Sequence, residues 1–131
     1  MNGTKSVQVV VVTPERTVLD AAVDFVSLPM YDGELGVLPG RAPLIGRLGA
    51  GELRTRKGTV TERFFIDGGF AQVRADVVTV LTARAIKAEE IDQQAANNVL
   101  QNPPPGEGRQ KAQDRARIQL RVARKAAESA V

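Results

Sequence analysis

Apolar and polar positions change their spacing near residue 88. Up to about Ala85 the chain carries short apolar runs rich in Val, Thr, Leu and Phe, punctuated by Gly and Pro. Beyond Ala88 it turns to Ala, Gln, Glu, Arg and Lys. The first set suits a pleated, half-buried surface and the second suits helices, so a strand-rich front and a helical rear are expected. The division falls between residues 1–86 and 87–131.

In the front part, Val7 to Thr13 is a β-branched run that stops at Pro14, and Val18 to Leu28 is a second extended stretch that stops at Pro29. Shorter pieces follow at Leu35 to Leu38, Leu44 to Leu48, Glu52 to Arg56, Thr59 to Ile66, Phe70 to Arg74 and Val77 to Thr82. Between them lie the turn signals Tyr31-Asp32-Gly33, Pro39-Gly40, Gly49-Ala50-Gly51, Lys57-Gly58, Asp67-Gly68-Gly69 and Ala75-Asp76. Turns this frequent leave no room for crossover helices. The pattern predicts an all-β antiparallel sandwich or flattened barrel and argues against a parallel sheet.

The rear part predicts an α-helical antiparallel hairpin. Ala88 to Asn102 spans roughly 22 Å as a helix, with Ala88, Ile91, Ala95 and Val99 on one face. Pro103, Pro104, Pro105 and Gly106 break it, because proline lacks the amide and clashes with the preceding turn. A second helix is expected from Glu107 to the end, with Ala112, Ala116, Leu120, Ala123 and Ala127 on a shared face. An Ala-lined seam buries little area at about 25 cal/mol per Å². Docking of the hairpin is therefore expected to be reversible.

Composition narrows the chemistry. The 131 residues contain no Cys, no His and no Trp, and aromatics make up 4%. Without Cys or His there is no thiolate nucleophile, disulfide, imidazole base or zinc-type ligand set. No cofactor or metal is expected. The scarcity of aromatics speaks against a stacking platform for single-stranded nucleic acid. The longest aliphatic stretch, Val9 to Val12, falls far short of the roughly 20 apolar residues that cross a bilayer. The N-terminal MNGTKSVQ shows no secretory signal. Membrane association is expected only through a partner.

Charge is concentrated at the rear. From Glu107 onward seven basic residues face three acidic ones, a net of +4, whereas residues 1–106 hold eleven basic and twelve acidic residues. Arg115, Arg117, Arg121, Arg124 and Lys125 could meet phosphates or an acidic protein surface, or be a solvated face. Acidic residues interrupt the stripe and no aromatics interleave, so protein ranks above nucleic acid as the partner.

Two glycine-rich stretches resemble nucleotide motifs only in part. Gly36 to Arg41 is one residue short of a phosphate loop and lacks its Lys and hydroxyl. Gly49 to Arg54 has Arg at the third glycine of a dinucleotide fingerprint and leads into a strand. Both read as turns. Asp32 and Glu34 flank Gly33 in a loop, but two acids without a cleft or metal cage read as solvated turn residues.

The segment Asp32 to Leu44 (DGELGVLPGRAPL), with Gly49 to Arg54 (GAGELR) and Phe65 to Val73 (FIDGGFAQV), closely resembles the epsilon subunit of bacterial F-type ATP synthases, where a G-E-x-G-[VI]-x-P-G-H-A-P-L loop recurs. The resemblance implies a non-catalytic central-stalk subunit that couples a gamma subunit to the membrane-embedded c-ring. It places Glu34, with Tyr31 and Asp32, at the c-ring contact. Thr13, Pro39, Arg41, Ala42, Pro43 and Leu44 fall on the gamma side, with Arg41 where His is usual.

The same resemblance implies that the hairpin opposes ATP hydrolysis, its basic second helix reaching the alpha and beta subunits. It implies a peripheral position on the cytoplasmic face of the bacterial plasma membrane. Some family members bind ATP on the hairpin through I/L-D-x-x-R-A; here Ile91 to Ala96 reads IDQQAA, with Ala95 in place of Arg. Losing that cationic fork removes the main phosphate partner, so weak or no ATP binding is expected. The alternative is a free-standing β-sandwich adaptor whose basic hairpin binds RNA or an acidic protein.

Overall fold

The computed structural model describes residues 5–129. Eight strands form one folded-over sheet: β1 (Val7–Val12), β2 (Thr17–Val23), β3 (Phe25–Met30), β4 (Gly33–Val37), β5 (Leu44–Lys57), β6 (Val60–Arg74), β7 (Val77–Leu81) and β8 (Ala85–Lys87). A short 3₁₀ turn (Ala88–Glu90) leads to helices α1 (Gln93–Gln101) and α2 (Arg109–Ser129). The strand order is β2-β1-β7-β6-β5-β3-β4, with β8 also paired to β6. Alternation explains the core. Val7, Val9 and Val11 of β1, Val26 and Leu28 of β3, Leu53 of β5, Phe64 and Ile66 of β6, and Val78 and Val80 of β7 all point between the layers and are fully or almost fully buried.

Two long strands replace four expected short ones. Gly49-Ala50-Gly51 and Asp67-Gly68-Gly69 are not turns; β5 and β6 run straight through them, paired from Leu44↔Val73 to Lys57↔Val60. The glycines serve close approach and bending. A Cβ on Gly69 (φ +108°) would overlap the Leu81 carbonyl oxygen, and one on Gly51 would lie 2.7 Å from Pro29 Cβ. Each long strand thereby belongs to both layers. β6 pairs with β8 along Phe64 to Ile66 and with β7 along Phe70 to Arg74.

Two further expectations are corrected, and one pairing goes beyond them. The stretch from Val18 divides at Asp24 into β2 and β3, and Pro29 lies inside β3 rather than ending it. Opposite β5 the register shifts between Ser27 and Met30, which accommodates a residue without an amide hydrogen. β1 and β7 pair in parallel, whereas the other ladders among the described residues are antiparallel; this pairing joins strands far apart in sequence, so no hairpin signal announces it.

α1 is shorter than expected. Ile91 is extended, and the Asp92 carboxylate accepts the Ala95 N–H at 2.9 Å, capping a helix that begins at Gln93. Its inward residue is Ala96, and Ala95 is exposed. The chain leaves α1 at Asn102, before Pro103. α2 begins at Arg109 rather than Glu107, and the expected extension through 130 and 131 lies outside the described residues. Of its expected face, Ala116 and Ala123 are buried while Ala127 is exposed. α2 packs against α1, β5 and β6.

Candidate functional surfaces

The two faces of β6 separate two cores. Phe64 and Ile66 point into the sandwich, whereas Phe65 points outward and is fully buried by the hairpin. Around Phe65 gather Ala88, Ile91, Val122 and Ala123, with Ile86, Ile118 and Ala126 at the margin. An ion pair supports this contact: Arg115 Nε donates to Asp67 Oδ1 at 3.1 Å and lies 3.0 Å from Oδ2. Arg117 pairs with Asp114 and Arg124 with Glu128 on α2 itself. Arg121 and Lys125 line a groove against the sheet. The basic stripe is thus divided between the latch to the sandwich, its own helix and this groove.

The opposite face is open. On the outside of β1, β7, β6 and β5, Leu81 pairs laterally with Val12 and Phe70, Phe70 with Arg47, and Gln72 with Ile45. Ile45 (75% exposed), Phe70 (56%) and Leu81 (54%) present large apolar side chains to solvent. Sequence reasoning did not single out this strip. Its signal was the Val9 to Val12 run, apolar on both alternations, which marks a strand whose two faces both want cover.

The β3–β4 turn forms a tip. Tyr31, Asp32 and Glu34 line a groove of about 610 Å³ with Met30, Leu35, Leu44, Ile45 and Arg47. The Arg47 guanidinium lies 5.0 Å from the centroid of the Tyr31 ring. Glu34 Oε1 is 3.4 Å from Arg54 Nη2, and its side chain remains 63% exposed.

The residues expected on the gamma side are spread out. Pro39, Arg41, Ala42 and Pro43 occupy the β4–β5 connection, where the Gly40 N–H donates to Asp76 Oδ1 at 2.7 Å. Leu44 begins β5 and shares the tip groove with Glu34. Thr13 lies beyond the other end of β1, buried, its hydroxyl donating to the Arg16 carbonyl at 3.0 Å and accepting from the Arg16 N–H. Yet the open strip links them: Thr13 shares a shallow groove with Leu81, and Pro43 and Leu44 share another with Ile45 and Gln72.

For the helical motif, Asp92 is engaged as the cap of α1 and Ala95 offers no cation. Among the described residues no cluster of three His, Cys, Asp or Glu is placed to hold a metal ion. No described helix is long and apolar enough to cross a membrane.

Fold and surfaces together define a class: a β-sandwich docking module with a helical hairpin laid on one face and an apolar strip left open on the other. Residues 6–88 match the family described as "ATP synthase, Delta/Epsilon chain, beta-sandwich domain", and this chain belongs to that family. It is 52% identical to the ATP synthase epsilon chain of Rhodopirellula baltica, across 91% of this chain and 99% of that one. It is 39% identical to that of Bacillus subtilis, across 88% and 80%. Two solved structures share the fold. A chain of the Euglena gracilis mitochondrial ATP synthase OSCP/F1/c-ring structure aligns with a TM-score of 0.71 at 24% identity, covering 97% of this chain and 84% of that one. A chain of the Tetrahymena thermophila mitochondrial ATP synthase central stalk/c-ring structure aligns at 0.64 and 16% identity, covering 95% and 98%.

Proposed function

We propose that this chain is the central-stalk subunit that couples the gamma subunit of an F-type ATP synthase to the c-ring, doing mechanical rather than chemical work. The observation that carries the reading is the open apolar strip of Ile45, Phe70 and Leu81 running between Thr13 and Pro43–Leu44. A lone soluble domain gains nothing by exposing such a strip, and a gamma subunit packed there would bury it. The tip formed by Tyr31, Asp32 and Glu34 meets the polar loops of the c-ring. On this reading the protein sits at the cytoplasmic face of the bacterial plasma membrane and reaches the membrane only through the complex.

The test is a pair of engineered cysteines, one replacing Glu34 and one in a c-ring loop, oxidised in the assembled enzyme; the natural chain has no cysteine to interfere. A cross-link that stalls rotation is expected. No product in an otherwise active complex overturns the tip assignment, and recovery of tagged protein with ribosomal material instead of synthase subunits favours the adaptor.

Residues 87–131 form the regulatory part of the proposal. The net +4 of the tail gives the hairpin an electrostatic reason to seek acidic segments of the alpha and beta subunits, weakened by salt. Removing residues 88–131 is expected to raise ATP hydrolysis by the assembled synthase. Unchanged hydrolysis across salt concentrations argues against a brake.

A further inference from the structure

A chain of alternating charge runs across the outside of the sheet to the edge of the hairpin. Glu34 Oε1 is 3.4 Å from Arg54 Nη2, Arg54 Nη1 is 3.4 Å from Glu52 Oε1, and that oxygen accepts from Arg63 Nη1 at 2.9 Å. Topology assembles it. β4 pairs with β3, β3 with β5 and β5 with β6, so Glu34 opposite Pro29, Arg54 opposite Ser27, and Arg63 opposite Arg54 stand on neighbouring strands. The two ends differ in environment. Glu34 is 63% exposed at the tip, whereas Glu52 and Arg63 are each 15% exposed.

α2 supplies the other wall. Glu34 and Glu52 line a groove of about 270 Å³ together with Ile118, Arg121, Val122 and Lys125. Two carboxylates from the sheet thus share one groove with two cations from the helix. The long contacts of Arg54 to both acids leave it shared between them, so a change in the charge at Glu34 redistributes Arg54 and alters what the helix cations see. The Arg115–Asp67 pair is a second charged contact between α2 and β6.

We propose that Glu34 couples the tip of the sandwich to the docking of the hairpin. Arg121 and Lys125 hold α2 down partly through the Glu34–Arg54–Glu52 charges. A cationic partner group that engages Glu34 weakens that hold, and lifting α2 in turn frees Glu34 for the partner. The effect is reciprocal because both events draw on one coupling free energy. Only the identity of the partner, a basic group on a c-ring loop, rests on the function proposed above; the coupling is a property of this chain alone.

The experiment is a double-mutant cycle on the full chain, with hydrogen exchange of the α2 amides as the readout. Glu34→Gln alone, and Arg121→Gln with Lys125→Gln, are each expected to speed α2 opening roughly two- to fivefold, the size of an exposed ion-pair contribution. All three changes together should exceed the larger single effect by little, and 0.5 M salt, screening on the scale of a few Å, should erase the differences. Exchange in β1 and β7 should stay unchanged throughout, which separates hairpin release from unfolding. Fully additive effects, or α2 exchange indifferent to Glu34→Gln, overturn the proposal. A non-additive cycle with no cross-link from position 34 to the ring keeps the coupling and removes the c-ring as its partner.

Discussion

Replacing Phe65 with Ala should release the hairpin without unfolding the sandwich. The ring is fully buried and is, among the described residues, the sheet's only aromatic contribution to the cluster beneath α2. A phenylalanine buries about 150–250 Å², which at about 25 cal/mol per Å² amounts to roughly 4–6 kcal/mol as an upper bound. In a closed core Phe→Ala costs about 3–5 kcal/mol. Here one wall of the cavity is a hairpin that can leave, so the loss is capped at the docking free energy itself. A loss of only about 2 kcal/mol already raises opening about 30-fold. Trypsin supplies the assay, because Arg115, Arg117, Arg121, Arg124 and Lys125 lie on the released helix. Cleavage in α2 should accelerate by at least that factor while the urea midpoint of the sandwich hardly moves. Phe64→Ala is the control: its side chain faces the inner core, so the sandwich itself should lose about 3–5 kcal/mol. If Phe65→Ala leaves α2 protected, or brings down sandwich and hairpin in one transition, the separation of the two cores is wrong.

Two other outcomes are expected. Gly69→Ala should cost about 3 kcal/mol or more, because φ of +108° strains any side chain and the new Cβ would meet the Leu81 carbonyl oxygen; a urea midpoint equal to the parent's refutes the close approach. The Lys87 ammonium is held above the ordinary lysine range, first by its hydrogen bond to Glu62 and then by that carboxylate's charge, with Nζ 3.0 Å from Oε2. A raised pKa contributes stability that is complete below the unfolded value and fades as pH rises past it through the folded value. The stability advantage of the parent over Lys87→Gln should therefore hold steady at neutral pH and shrink above about pH 10.5; an advantage that grows there refutes the pairing.

The strand-rich front, the proline break and the helical rear were legible because each follows from local chemistry. Pro103 to Gly106 cannot be helical wherever they are placed, and the alternation of Val7, Val9 and Val11 names a buried face before any partner strand is known. Long-range pairing was not legible. Gly49, Gly51, Gly68 and Gly69 carry the same signal whether they make a turn or let two strands bend together, and only the continuous β5–β6 ladder tells which. Pro29 was misread for a related reason: its missing amide ends a strand unless the neighbour's register shifts to meet it. Of the candidate surfaces, the loop from Tyr31 to Leu44 stood out in sequence. Phe65, Phe70 and Leu81 did not, because their roles depend on which face of which strand lies under the hairpin or opposite it. The Glu34–Arg54 contact joins residues twenty apart that neither charge patterning nor periodicity relates.

The two cores also fix the order in which the molecule comes apart. The sandwich is one contiguous cluster drawing on β1 through β8, closed by a ladder in which β5 and β6 serve both layers. The hairpin adds a separate cluster of five buried residues, three of them from outside α2, and an ion pair to the sheet whose Arg115 partner is itself 43% exposed. Such a pair contributes at most about 1 kcal/mol. Opening the hairpin therefore leaves every inner-face contact of the sandwich intact, whereas opening the sandwich removes Phe65 and with it the hairpin's seat. A body that stays rigid while its appendage lifts follows from that asymmetry, and it requires no hinge beyond the extended Ile91 and the turn before it. The same strand supplies both properties: Phe64 and Ile66 bind β6 into the rigid part, and Phe65 between them holds the part that can leave.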